Sequence, residues 1–202
     1  MTSRSGTRDR ILAIADRHLM RHGYHAFSFA DIASEIGVKT AAVHYHFPTK
    51  PDLVITVIQA YARRFEAWSA SVAAAPAADR LCGYFEIGRL VAADGRVCPL
   101  SMITAQQDAV PAEVVAEVKR LQAPILAFYA SSLEEARVAG QVQFLGRAED
   151  EALLVACALV GAQLLARVFG PDAYLKVMRQ QARTLGLPER WPAFVGAGSA
   201  AA

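Results

Sequence analysis

Residues Phe27 to Leu53 read FSFADIASEIGVKTAAVHYHFPTKPDL, and this stretch decides the fold. Ser28 stands where a helix N-cap is needed, three residues before Asp31, so a short helix is expected from there through Ile36. Gly37 is free to take the positive φ of a tight turn. Val38 plugs the angle between two helices, and Lys39 to His46 is just long enough for the next one. Two short helices about a glycine turn outline a helix-turn-helix. Pro48 interrupts, Thr49 caps, and Pro51 falls in a first helical turn, where its missing N–H costs little.

Upstream, Ile11, Leu12, Ala15, Leu19 and Met20 recur at three and four residues. They predict a first helix over Thr7–Arg21 that ends before Gly23. Downstream, Leu53, Val57, Tyr61, Phe65 and Trp68 stripe a long helix to about Ala74, where an Ala-Pro stretch stops it. Residues 79–93 read as a helix, Gly95–Pro99 as a loop and Leu100–Gln107 as a short helical piece. Pro111 opens a long helix to about Ala139, with Pro124 expected to kink it. Glu149, Asp150 and Glu151 suit a helix N-terminus, and the segment from Ala148 to Phe169 is apolar almost all round. Pro171 opens a last helix ending near Gly186. The expected fold is all-α with about nine helices. It comprises a helix-turn-helix domain over residues 1–50 and a helical domain over 51–190. Residues 191–202 form a low-complexity tail expected to be disordered.

Composition narrows the function. The chain has 202 residues, 54% of them hydrophobic, enough for a substantial core. Its formal net charge is only +2, yet residues 1–50 carry seven Lys or Arg against four acids, while the rest carries fourteen against fifteen. All five histidines also fall before residue 50, so the basic quarter is where an anionic partner is expected. The polar, basic N-terminus is not expected to be a secretory signal. The longest apolar run, Ala152–Ala162, is short of the roughly 20 residues that cross a bilayer. A cytoplasmic protein without a membrane span is therefore expected. Cys82, Cys98 and Cys157 lack disulfide or zinc spacing. His18 and His22 share an i, i+4 face without a third ligand, so no metal and no cofactor is expected. No phosphate-binding loop, dinucleotide fingerprint, nucleophile elbow or HExxH occurs, and an enzyme is not expected.

The Asp31-Ile-Ala, the Gly37-Val38 turn, the aromatic and histidine-rich end of the third helix and the Phe47-x-x-Lys-x-x-Leu53 run together resemble the signature of TetR-family transcriptional regulators. The resemblance implies that the third helix lies in the major groove of operator DNA. It assigns Lys39 and Thr40 to a base edge or phosphate and Ala42 to a thymine methyl. His44 and Tyr45 go to bases and backbone, His46 and Lys50 to phosphates, and Ser28 to a cap and a phosphate. This chain reads Lys39-Thr40-Ala41-Ala42 where the family often has a glycine after the first residue, which leaves the operator sequence open.

For the remainder, the resemblance implies a small-molecule pocket and pairing of the last two helices with a second subunit. Pocket candidates on otherwise apolar faces are Tyr61, Phe65, Trp68, Phe85, Met102, Gln106, Phe128 and Gln163, suited to a largely apolar effector. Cys98 is added because it follows Arg96, whose charge favours a reactive thiolate; the alternative is an inert thiol under a helix. A small-residue stripe of Ala158, Gly161, Ala162 and Ala166, with Leu154, Leu165 and Phe169, is the expected homodimer interface. The expected function is a homodimeric repressor released from a palindromic operator by its effector. The alternative is a regulator controlled by Cys98 oxidation or by a protein partner.

Overall fold

The computed structural model describes residues 4–189 and Trp191. Among them the regular structure is helical: α1 Arg4–His22, α2 Phe29–Ile36, α3 Thr40–His46, α4 Lys50–Ser71, α5 Ala77–Ala93, α6 Pro99–Thr104, α7 Ala112–Val138, α8 Ala148–Phe169 and α9 Pro171–Leu185, with one 3-10 turn at Gln107–Ala109. The all-α expectation holds. Of the expected tail, only Trp191 lies within the described residues, its ring 5.7 Å from that of Phe85.

Two compact units emerge, neither continuous in sequence. One contains the residues up to Ala62 together with Cys98–Gln122; the other contains Arg63–Val97 and the residues from Ala123 onward. The chain passes between them inside α4, at Val97–Cys98 between α5 and α6, and inside α7, which runs unbroken through Pro124.

In the first unit, α1 packs on α2, α3 and α6. Ile11, Ala15 and Leu19 are fully buried, as their spacing predicts, and so are Ile32 of α2, Val43 of α3 and Leu53 and Ile58 of α4. The turn between α2 and α3 is a Schellman ending: Gly37 takes φ +71°, and the Val38 N–H donates to Ala33 O at 2.9 Å. Only glycine enters that region without strain, so the angle between the two short helices is fixed at Gly37. Arg10 of α1 reaches the same corner and donates to Ile36 O at 3.0 Å.

In the second unit, α8 and α9 form a hairpin across Gly170 and pack against α5. The core joins Leu81, Phe85, Leu133, Val155, Tyr174 and Met178. By length and composition α8 is apolar enough to cross a membrane, so the short apolar run does not exclude that reading on its own. Here the helix instead seats Ala152, Val155, Leu159, Ala162 and Ala166 in the core of the unit.

Candidate functional site

The helix-turn-helix is held by local devices at each helix start. The Ser28 hydroxyl and backbone N–H both donate to Asp31 Oδ2 at 2.7 Å, and the Asp31 N–H donates back to Ser28 Oγ at 3.3 Å. Thr49 and Asp52 repeat the arrangement at α4, with Thr49 Oγ1 donating to Asp52 Oδ2 at 2.7 Å. Each box satisfies N–H groups that a helix start leaves open. Hydrogen bonds from Ser28 hold the Asp31 carboxyl below the usual carboxylate range.

Val43 and Phe47, one turn apart, are buried and anchor α3. The opposite side of the helix is thereby turned to solvent: Ala41, His44 and Tyr45 are exposed, Tyr45 to 62%. Ala42 and His46 flank this face half-buried, Thr40 is half-buried, and exposed Lys39 is the extended N-cap residue. His44 is steadied from two directions. Its Nδ1 lies 3.4 Å from Pro48 O, and its ring meets Phe29 edge-on at 4.7 Å. Ala41 belongs to the outward face together with Tyr45, one turn later, and was not among the sequence candidates. The period counted from Val43 is the signal that finds it.

Lys50 differs from the other candidates. Its ammonium donates to Phe27 O and lies 4.3 Å from the Phe27 ring centroid and 4.7 Å from that of Tyr24. Partial burial lowers its pKa. His18, considered above as a metal partner of His22, instead stacks on Phe27 at 5.6 Å, with Nε2 3.1 Å from Glu35 Oε2.

The surface presented by α3 is a short helix with small residues, an aromatic and two histidines, entered through a lysine. The model of the bacterial regulatory proteins of the tetR family matches residues 11–57, the span that builds this surface. A solved TetR-family transcriptional regulator from Agrobacterium tumefaciens superposes with TM-score 0.85 at 26% identity, covering 91% of this chain and 99% of its own. The N-terminal quarter of the chain thus matches the tetR-family model, and the described chain has the fold of solved TetR-family regulators.

A TetR transcriptional regulator from Legionella pneumophila is similar as well, with TM-score 0.79 at 27% identity, covering 92% of this chain and 100% of that one. AibR, solved with isovaleryl coenzyme A and operator DNA, shares the fold at 17% identity and TM-score 0.69, covering 90% of this chain and 100% of its own. No curated protein matches the chain. In its N-terminal region and in its fold the chain is thus similar to DNA-binding transcriptional regulators.

The pocket candidates separate into three groups. Phe65 and Trp68 from the end of α4 and Phe128 from α7 meet within one unit, where Tyr84 and Tyr129, absent from the sequence candidates, complete a five-ring cluster. Its centroids are 5.1–6.2 Å apart, mostly edge to face. Phe85 and Gln163 are buried elsewhere in that unit. Tyr61, Cys98, Met102 and Gln106 belong to the other unit. There the Tyr61 hydroxyl donates to Met20 Sδ at 2.9 Å, and Gln106 Oε1 accepts the Tyr24 N–H at 2.9 Å. An open cleft of about 610 Å³ on α7 and the start of α8, lined by Ser131, Glu134, Arg137 and Arg147 among others, includes none of these candidates.

Burial pushes the Cys98 thiol up, and Arg96 pairs with Asp94 at 2.9 Å, so the cation expected to favour a thiolate is engaged elsewhere. Within the expected interface stripe, Ala162 and Ala166 face the core of their own unit, at 0% and 4% exposure. Leu154, Leu165 and Phe169 face solvent, joined by Leu153, Leu164 and Val168. Ala158 and Gly161 are half-buried.

Proposed function

We propose that this chain is a cytoplasmic, homodimeric repressor, not an enzyme, that reads a palindromic operator with α3 and is released by a small, largely apolar effector. The observation that carries the reading is the outward face of α3, set by the burial of Val43 and Phe47 beneath it. Ala41 and Ala42 let the helix approach the floor of a major groove and suit thymine methyls. His44 and Tyr45 offer donors to base edges, and Lys39 and His46 lie toward the phosphates.

The exposed apolar face of α8 supports the homodimer. Six large apolar side chains, from Leu153 to Phe169, are between 42% and 73% exposed in the single chain. Covering such a face with a second copy, together with α9, suits an obligate interface of about 2,000 Å² or more. The aromatic cluster of Phe65, Trp68, Tyr84, Phe128 and Tyr129 is the preferred effector contact, since ring faces and edges suit a planar or apolar ligand. AibR, with operator DNA and isovaleryl coenzyme A, is an example of this fold serving both partners. Release follows if effector binding displaces α4 or α7, the two helices through which the chain passes between the units. The upward push on the half-buried Cys98 thiol gives no support to control by its oxidation.

The test is a gel-shift titration of the purified protein against the DNA flanking its own coding region, with excess nonspecific competitor at physiological salt. Saturable binding to a palindrome is expected. The reading fails if binding is indifferent to sequence both there and in a random pool of duplexes.

A further inference from the structure

Two buried donors stand without a partner at one edge of the five-ring cluster. The Ser132 side chain of α7 has no exposed surface, and its hydroxyl finds no hydrogen-bond partner among the described residues. The Arg80 side chain of α5 is 11% exposed and pairs with Glu135 through one terminal nitrogen, while its Nε is buried and unpartnered. Protein cores leave few such groups, so each calls for a reason. For Ser132 the local reason lies on its own helix. A helical serine ordinarily returns its hydroxyl to a carbonyl one turn back. That carbonyl is Phe128 O, which already accepts the Ser131 hydroxyl at 3.2 Å.

The contacts between α5 and α7 place both donors. Arg80 meets Glu135, and Tyr84, one turn later on α5, meets Phe128 and Tyr129 at centroid distances of 6.1 and 5.1 Å. The two helices therefore run antiparallel here. Ser132 falls on the α7 stripe between these two contacts, one turn after Phe128 and one turn before Glu135. Donors at one end and rings at the other make a continuous strip along this helix pair. The ring end reaches the surface, since Phe65, Tyr84 and Phe128 are half-buried.

Charge balance selects the head group such a strip accepts. Glu135 already meets the Arg80 charge, so a ligand carboxylate would add an unbalanced anion in a mostly buried setting. A cation would face the guanidinium, and a hydrocarbon would leave both donors unsatisfied. A neutral carbonyl oxygen has two lone pairs and can accept from Nε–H and from the hydroxyl together.

We infer that the effector is an uncharged aromatic carbonyl compound, its oxygen held by Arg80 Nε and the Ser132 hydroxyl and its rings packed against the aromatic cluster. The inference rests on the effector half of the proposed function and names the class of molecule that site takes.

The probes are acetophenone, acetonaphthone and benzophenone, each beside the hydrocarbon in which CH2 replaces the carbonyl, with benzoate as the charged analogue. Affinities for the full chain are read by ligand-observed NMR titration without DNA. At least one ketone is expected to bind about tenfold tighter than its hydrocarbon and tighter than benzoate. Ser132→Ala, and Arg80→Lys, which keeps a charge toward Glu135 but lacks Nε, are each expected to cut that preference about fivefold, with the affinity of the hydrocarbon unchanged. Ser132→Ala also removes an unsatisfied hydroxyl and is expected to raise the melting temperature by about 2 °C.

A melting temperature lowered by several degrees in Ser132→Ala would give the hydroxyl an internal partner and overturn the inference. So would the absence of binding by every ketone, a preference for hydrocarbon or benzoate, or a ketone preference that survives both substitutions. A labelled duplex selected by the wild-type chain from a random pool separates this inference from the regulator reading. A ketone that binds through Ser132 yet leaves the duplex bound removes release by effector and leaves the carbonyl site standing.

Discussion

The Tyr174 hydroxyl donates a 2.6 Å hydrogen bond to Phe85 O, linking α9 to α5 inside the core of one unit. Both residues are fully buried, and the hydroxyl occupies the space that a Cβ on Gly88 would take. Burial drives the phenol pKa well above its ordinary value, so the group stays a neutral donor.

Tyr174→Phe leaves Phe85 O without that donor in a dry core and is expected to cost about 1–3 kcal/mol in urea or thermal unfolding. Gly88→Ala gains about 1 kcal/mol of helix propensity, but its Cβ meets Tyr174 Oη, Cζ at 3.1 Å and Leu159 Cδ2 at 3.0 Å, so a net loss is expected. In the Tyr174→Phe background the same glycine substitution should cost less, because the hydroxyl is gone. Simple additivity of the two changes in a double-mutant cycle would contradict this geometry.

Leu165→Glu combined with Leu154→Glu is expected to yield a folded monomer in analytical ultracentrifugation at micromolar concentration. Both side chains are exposed in the single chain, at 42% and 60%. Ala162→Glu, placed on the expected stripe but with no exposed surface, is expected instead to lower the melting temperature sharply by burying an unpaired charge. A double Leu variant that sediments as a dimer would show that α8 does not form the interface.

Burial pushes the Cys82 thiol up to about 12. A thiol pKa raised on folding contributes stability below the unfolded value of about 8.5, and that contribution fades as pH rises toward the folded value. Cys82, fully buried, is therefore expected to resist maleimide in the native protein at pH 8 and to react only after denaturation. Cys157 is exposed in the single chain and lies on the α8 face. It should label readily in the Leu154/Leu165 monomer and slowly in the dimer, a distinction that mass spectrometry reads directly.

Ser28→Ala is expected to destabilise the protein by about 1 kcal/mol through loss of the α2 cap. Asp31 has its pKa lowered on folding by the same serine. Its contribution is therefore full above the unfolded carboxylate pKa of roughly 4 and is lost as pH falls through the lower folded value. The acid limb of melting temperature against pH should flatten in Ser28→Ala. An unchanged acid limb would mean that the box does not couple to stability.

The sequence by itself determined where the helices are. Caps such as Ser28 and Thr49, the Gly37 turn and the proline punctuation act within a few residues, so their effect is readable without knowledge of the rest. The outward face of α3 was legible for the same reason, because fixing Val43 and Phe47 inward leaves one remaining face. Tertiary structure decided which way the ambiguous side chains turn. The helix α8 is apolar almost all round, so its period could not choose between core and interface, and Ala162 and Ala166 went to the core while the leucines stayed outside. Gln106 and Lys50 look alike in sequence to a pocket residue and a phosphate ligand. Gln106 meets Tyr24 only because Cys98–Gln122 folds into the same unit as residues up to Ala62, a pairing between segments far apart in the chain that no local signal encodes, while Lys50 reaches Tyr24 within the first of those segments.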